Sequence, residues 1–219
     1  MIELAQHLIE FVLHIDRHLQ DVIAHYGLWT YALLFFIIFA ETGFVVTPFL
    51  PGDSLLFAAG ALCAGSVLNV HVLAVALTVA AVLGNLVNYG VGAFIGPKVF
   101  SREDSWLLRK KHLERAHAFF EKYGGRSIVL SRFVPIVRTF VPFVAGVGRM
   151  SWARFFAFNL VGGAVWIYLL TYLGYFFGGT ELVRKNFSLV IVAIIVISVL
   201  PILFEAVRAW RESRRRPGA

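Results

Sequence analysis

Four ionisable side chains, Glu41, Asp53, Arg132 and Arg138, lie inside stretches that are otherwise apolar. At the centre of a membrane helix an Asp or Arg costs about 2.5–3.5 kcal/mol, so four of them turned to lipid would cost on the order of 10 kcal/mol. They are expected to face one another, water or a substrate. Two guanidiniums six residues apart, Arg132 and Arg138, suit a fork around a phosphate. Pro48, Pro51 and Gly52 predict a break in the first stretch and Pro135 and Pro142 a break in the second. Helix N-termini freed at Pro135 and Pro142 would add backbone N–H donors to an anion site. Glu41 and Asp53, as partly desolvated carboxyls, are candidates for reversible proton binding and so for proton coupling. Thr42, Asn85, Asn88, Tyr89 and Thr139 can line the same cavity or simply pack helices. The structural alternative is two charge pairs that cement the broken segments, against which stands the desolvation cost of buried ion pairs.

The elements that must hold these groups follow from composition. Of 219 residues 59% are hydrophobic and 15% charged, where a soluble domain carries about 25% charged residues. A mean hydropathy of +0.77 calls for a solvent that accepts apolar surface on all sides. That solvent is a bilayer, and the length suits one membrane domain over residues 1–219 with no large extramembrane enzyme domain. Residues 1–10 lack a basic n-region and a continuous apolar run, so they read as mature structure. Leu4, Leu8, Phe11, Ile15, Leu19 and Val22 recur at spacings of three and four, which predicts an amphipathic surface helix over 1–26, ended by Gly27. Residues 28–41 read as a short span, 42–69 as a re-entrant hairpin and 71–96 as a span. Backbone broken by Pro and Gly at membrane depth is tolerated only inside protein or beside water. Residues 97–126 hold eight basic and four acidic residues and form a polar connection with a second amphipathic helix, about 104–123, bearing Trp106, Leu113, Phe119 and Phe120. Gly124 and Gly125 close it. A second re-entrant hairpin over 127–149, spans over 152–178 and 188–210, and a basic tail over 211–219 complete the chain.

The expected fold is therefore an all-α polytopic membrane protein with about four full spans, two surface helices and two hairpins entering from opposite faces. Each half reads as amphipathic helix, broken hairpin with two charges, then a span ending in a glycine pair, Gly92 with Gly96 and Gly174 with Gly178. That order is the signature of an inverted repeat, whose site forms near the midplane. Sixteen basic residues (Arg17, eight in 97–126, Arg149, Arg154 and five from Arg208 onward) fall on the side of both termini, against Arg184 and Lys185 on the other. The excess places both termini and the 97–126 connection in the cytoplasm. Two further full crossings in place of the hairpins are the alternative topology, disfavoured by the proline and charge content of both stretches.

Glu41 followed by Pro48-x-x-Pro51-Gly52-Asp53-x-Leu55-Leu56, and then Arg132-x-x-Pro135-x-x-Arg138-x-x-x-Pro142-x-x-Ala145-Gly146, resembles the two signature stretches of the DedA family of VTT-domain membrane proteins, over about residues 28–180. The resemblance implies two oppositely oriented hairpins in a multi-pass protein of the bacterial inner membrane. It also implies a role in returning a polyprenyl phosphate, chiefly undecaprenyl phosphate, to the cytoplasmic leaflet, with the functional acids on Glu41 and Asp53 and the essential arginines on Arg132 and Arg138. Two departures stand out: Asn85 where many members carry an acid, and Asp53 where some have Glu. A proton-coupled small-ion transporter, a broad phospholipid scramblase and a lipid-phosphate phosphatase are the rival readings. The last has no visible nucleophile or metal, since no His-Glu-x-x-His, Gly-x-Ser-x-Gly or paired-Cys pattern occurs, so an enzyme is not expected. No cofactor is called for. Cys63 reads as a small buried hydrophobe. His14 and His18 have metal-ligand spacing, and with His7 and His25 they read as polar residues at the membrane interface. Arg214, Arg215 and Arg216 are expected on anionic lipid rather than nucleic acid, and a homo-oligomer is left open.

Overall fold

The computed structural model describes residues 25–44, 52–64, 68–95 and 110–178, with 180, 181, 183, 189–190 and 192–194 beyond them. All regular structure among the described residues is helical. The expected surface helix over 1–26 (but for its last two residues), Pro48, Pro51, Gly96, Trp106, His7, His14, His18 and the basic tail lie outside the described residues, as does most of the 188–210 span.

Gly27, at φ +51°, turns the chain into α1 (Trp29–Gly43), whose first turn is closed by the Thr30 and Tyr31 N–H groups on the carbonyls of Gly27 and Leu28. Fifteen residues make about 22 Å of helix, short of the roughly 30 Å hydrocarbon core. The next helix, α2 (Gly52–Cys63), is also short and apolar, and it is almost wholly buried, Cys63 included. Asn69 then starts α3 (Val70–Ile95), its side-chain oxygen accepting from the N–H groups of His71 at 2.9 Å and Val72 at 3.3 Å. The amphipathic α4 (Lys110–Tyr123) turns Ala116, Phe119 and Phe120 inward and ends at Gly124, φ +56°. Among the described residues only α3 and α7 (Trp152–Gly178) are long and apolar enough to cross a membrane.

Between α4 and α7 the expected broken stretch is a short helix α5 (Arg126–Ser131), a break over 132–134, and α6 (Pro135–Val147). Val134 is extended at φ −118°, ψ 103°, as a residue before proline prefers, and Pro135 takes the first helical position, where its missing N–H is not needed. Pro142 corrects the expectation, because it sits inside α6 and breaks nothing. It has no N–H to give the carbonyl of Arg138 four residues back, a local loss that the burial of α6 on nearly every side outweighs. The helix ends with Arg149 in the left-handed region at φ +51°, the N–H of Met150 reaching the carbonyl of Ala145 and that of Arg149 the carbonyl of Gly146, the paired bonds of a Schellman cap.

Packing crosses the two halves of the chain: α2 lies on α7, α6 lies on α3, and α3 also meets α1 and α7. Both crossings rest on backbone contact. A Cβ on Gly60 would strike the Thr171 carbonyl and one on Gly174 the Phe57 carbonyl; a Cβ on Gly146 would strike the Tyr89 carbonyl and one on Gly92 the Phe143 carbonyl. The patterns are superimposable in sequence, Phe57 and Gly60 recurring as Phe143 and Gly146, Tyr89 and Gly92 as Thr171 and Gly174. One apolar core gathers α1, α2, α3 and α7 around Leu56, Leu73, Leu77 and Ile167, and a second gathers α4, α5 and α6 with Phe155 of α7. The outer face of α3 exposes Val72, Val75, Val79, Leu83, Val87 and Val91 in one continuous stripe, an apolar surface of the kind that meets a membrane or another protein.

Candidate functional site

Glu41 occupies the last turn of α1 and is 1% exposed. Gly52, the first residue of α2, lies directly against its carboxylate, so a Cβ there would push the Glu41 side chain out of this position. One residue on, Asp53 sits in the first turn of α2, where the helix dipole favours an anion. Arg138, from the first turns of α6, reaches both. Its Nη2 donates to Glu41 Oε1 and its Nη1 to Asp53 Oδ1 at 2.9 Å. Three helices from both halves of the chain thus meet on one guanidinium.

Trp166 of α7 completes this arrangement. Its indole Nε1–H donates to the same Asp53 Oδ1 at 3.0 Å, and its ring lies 5.4 Å from the Arg138 guanidinium carbon and 5.6 Å from that of Arg132. Arg132, 3% exposed at the break between α5 and α6, is held differently. Its Nη2 donates to Asn159 Oδ1 at 2.8 Å and to the Ala81 carbonyl at 3.4 Å, while its Nε has no partner. Asn159 Oδ1 also accepts from Asn85 Nδ2 at 3.0 Å, and Asn159 Nδ2 donates to the Val82 carbonyl at 3.0 Å. No carboxylate pairs with Arg132 among the described residues.

The four charges singled out in the sequence therefore do face one another. Their pairing is not the simple fork expected for the arginines, because Arg138 is already engaged by two carboxylates and Arg132 is held by Asn159 and the Ala81 carbonyl. Of the other residues proposed as lining, Asn85 belongs to the Arg132 network and Thr139 is buried with its hydroxyl unpartnered. Thr42 returns its hydroxyl to the Ile38 carbonyl of its own helix at 2.8 Å. Asn88 ties α3 to α6 through the Thr139 carbonyl at 2.7 Å, with a longer reach to the Thr42 carbonyl at 3.4 Å. Tyr89 points elsewhere: its hydroxyl donates to the Met150 carbonyl and its ring stacks on Phe155 at 4.3 Å, so it braces the α6–α7 turn. Buried polar atoms left over around the charges are Glu41 Oε2, Asn88 Oδ1, Thr139 Oγ1 and Arg132 Nε. Among the described residues no His, Cys, Asp and Glu cluster could hold a metal.

Sequence reading missed Asn159 and Trp166. A repeated tripeptide, Asn85-Leu86-Val87 and Asn159-Leu160-Val161, was the available signal for the first. For the second it was a Trp in mid-span, away from the interfaces where membrane Trp residues concentrate.

A family profile described as the VTT domain matches residues 50–176, which include Asp53, Arg132, Arg138, Asn159 and Trp166. The chain is 52% identical over 215 residues to Protein DedA of Escherichia coli K12, covering 97% of this chain and 98% of that one. It is 46% identical over 183 residues to an uncharacterized membrane protein of Mycobacterium tuberculosis H37Rv, covering 83% and 80% of the two chains. It is 36% identical over 176 residues to the inner membrane protein YqjA of Escherichia coli K12, covering 80% and 79%. No solved structure matches. With both signature acids gathered on one arginine and likeness along nearly its whole length, the chain belongs to the DedA family of VTT-domain membrane proteins.

Proposed function

We propose that the protein is a translocase that returns a polyprenyl phosphate, undecaprenyl phosphate in the first instance, to the cytoplasmic leaflet of a bacterial inner membrane, coupled to protons. The observation that carries this reading is Arg132: a buried guanidinium whose acceptors among the described residues are all neutral oxygens, with an unpartnered Nε, over the same indole ring as Arg138. An unpaired buried cation is costly, and an anion from outside the chain would relieve it. A phosphate is the anion that two guanidiniums recognise best. The inner-membrane name of a relative supports the location, and the apolar outer faces of α3 and α7 support a lipid-facing exterior.

The two glycine crossings, one contact pattern used twice by α2 on α7 and α6 on α3, support an inverted repeat with its site where the hairpins meet. In this reading α2 and α5–α6 are limbs of two re-entrant hairpins entering from opposite faces. The prenyl chain stays in lipid while the headgroup reaches Arg132 and Arg138. A proton on Glu41 or Asp53 loosens the hold of that carboxylate on Arg138 and frees it for the phosphate. In vesicles reconstituted with the full chain and a labelled polyprenyl phosphate, Arg138→Ala is expected to slow translocation at least about 30-fold, since truncating one partner of a buried charge pair costs about 2–5 kcal/mol. Translocation at the wild-type rate would remove Arg138 from the site. Release of inorganic phosphate, equal movement of zwitterionic lipid, or flux of a soluble cation in its place would overturn the reading itself.

A further inference from the structure

Asp53 and Glu41 both pair with Arg138, but in different settings. The Glu41 side chain is 1% exposed and wedged against Gly52, whereas that of Asp53 is 22% exposed. The oxygen Asp53 Oδ1 is where two donors from different helices converge, Arg138 Nη1 at 2.9 Å and Trp166 Nε1 at 3.0 Å. An indole N–H donates and never accepts, and a guanidinium likewise. The two therefore define a position suited to an acceptor oxygen, and best to an anionic one. Among the described residues the charges around it are Glu41 on α1, Asp53 on α2, Arg132 at the α5–α6 break and Arg138 on α6, two of each sign. With all four ionised these charges sum to zero, so an arriving phosphate adds charge unless it displaces one carboxylate or brings a proton for it. The more exposed partner is the one that can leave.

We infer that the convergent donors Arg138 Nη1–H and Trp166 Nε1–H form a phosphoryl-oxygen subsite that Asp53 fills as a built-in anion, and that a prenyl monophosphate competes with Asp53 for it. Trp166 is then a substrate-binding residue rather than packing, and the subsite favours phosphate monoesters over headgroups that end in an ammonium. No covalent step is involved: one oxygen replaces another on the same two donors, and the displaced carboxylate turns to its exposed side or takes up a proton. This deepens the translocase reading and rests on it.

The test is calorimetric binding of geranyl phosphate to the full chain in detergent, with Asp53→Asn, Trp166→Phe and the double variant. Competition predicts that Asp53→Asn binds several-fold more tightly than wild type, because a neutral amide is a weaker rival for the two donors. Trp166→Phe keeps the ring beneath both guanidiniums and removes the donor, and is expected to bind about tenfold more weakly. The tenfold loss should persist in the double variant. If Trp166 only positioned Asp53, the loss would vanish there, and that result overturns the inference, as does an Asp53→Asn variant that binds no more tightly. Should the variants not fold, the wild-type protein carrying 13C-aspartate gives a second measurement. Its infrared carboxylate band must shift on adding geranyl phosphate, and an unchanged band overturns the inference. A wild type that binds geranyl phosphate and moves polyprenyl phosphate while the variants disobey these rules leaves the translocase reading standing; a wild type that does neither removes both.

Discussion

Asn159 is the residue on which the hold on Arg132 depends. Fully buried, it accepts from Arg132 and Asn85 through one oxygen and donates to the Val82 carbonyl through its nitrogen. Replacement by Leu removes all three bonds and leaves a buried guanidinium and amide short of acceptors. The expected cost is about 3–5 kcal/mol, read as a lowered melting temperature of the purified protein. Asn159→Asp keeps the acceptor and adds the counter-charge that Arg132 lacks. It should be destabilised less than Asn159→Leu, yet lose polyprenyl phosphate translocation about tenfold or more, because the anion site is then filled from within. Transport that survives in Asn159→Asp would show that Arg132 does not need to stay unpaired. At this scale Glu41, Asp53, Arg132 and Arg138 were legible because charges stand out against an apolar run. Asn159 and Trp166 were not, since neither carries a charge to stand out and their partners lie 27 to 113 residues away in sequence.

The helices meet backbone to backbone, and their glycines set how closely. A methyl group at Gly60, Gly92, Gly146 or Gly174 would overlap a carbonyl of the facing helix, and backbone cannot swing aside as a long side chain can. Each Gly→Ala change is expected to destabilise by about 1–3 kcal/mol, the range for overpacking, with a lowered melting temperature. Gly90, on α3 with open space beside it, is the control, and Gly90→Ala should leave the melting temperature within a degree or two of wild type. If all five variants melted together, the crossings would owe nothing to glycine. The glycine spacing pointed to Gly92 and Gly174 as packing sites, but their counterparts Gly60 and Gly146 gave no sign, because neither has a second glycine four residues away. Pro142 misled for a related reason. Proline in a helix interior costs about 3 kcal/mol judged locally, and the apolar contacts of Phe140, Val141, Phe143 and Val144 that keep α6 helical through it are not local.

For the whole molecule the open choice is whether the segment between α4 and α7 returns to its own side. The re-entrant reading puts α4 in the cytoplasm, brings α5 and α6 back to that face and sends α7 across, so the exposed Glu114 and Glu181 lie on opposite sides. If residues 42–69 and 127–149 each crossed fully, the same two positions would share a side, and the eight basic residues of 97–126 would face outward. Cys63 is the only native cysteine and is buried, which gives a quiet background for labelling. In intact cells a membrane-impermeant maleimide should label Glu181→Cys and spare Glu114→Cys, which should label only after the membrane is permeabilised. Helix lengths favour this outcome. At about 20 Å or less each, α2 and α6 are too short for a hydrocarbon core of roughly 30 Å, whereas α3 and α7 reach about 40 Å and span it with tilt. The positive-inside bias adds its own weight, because outward placement of that connection would carry eight of twenty basic residues across the membrane. Labelling of both cysteines in intact cells would make the broken stretches full crossings, and the charged cluster would then have to be approached along a different path from the two leaflets.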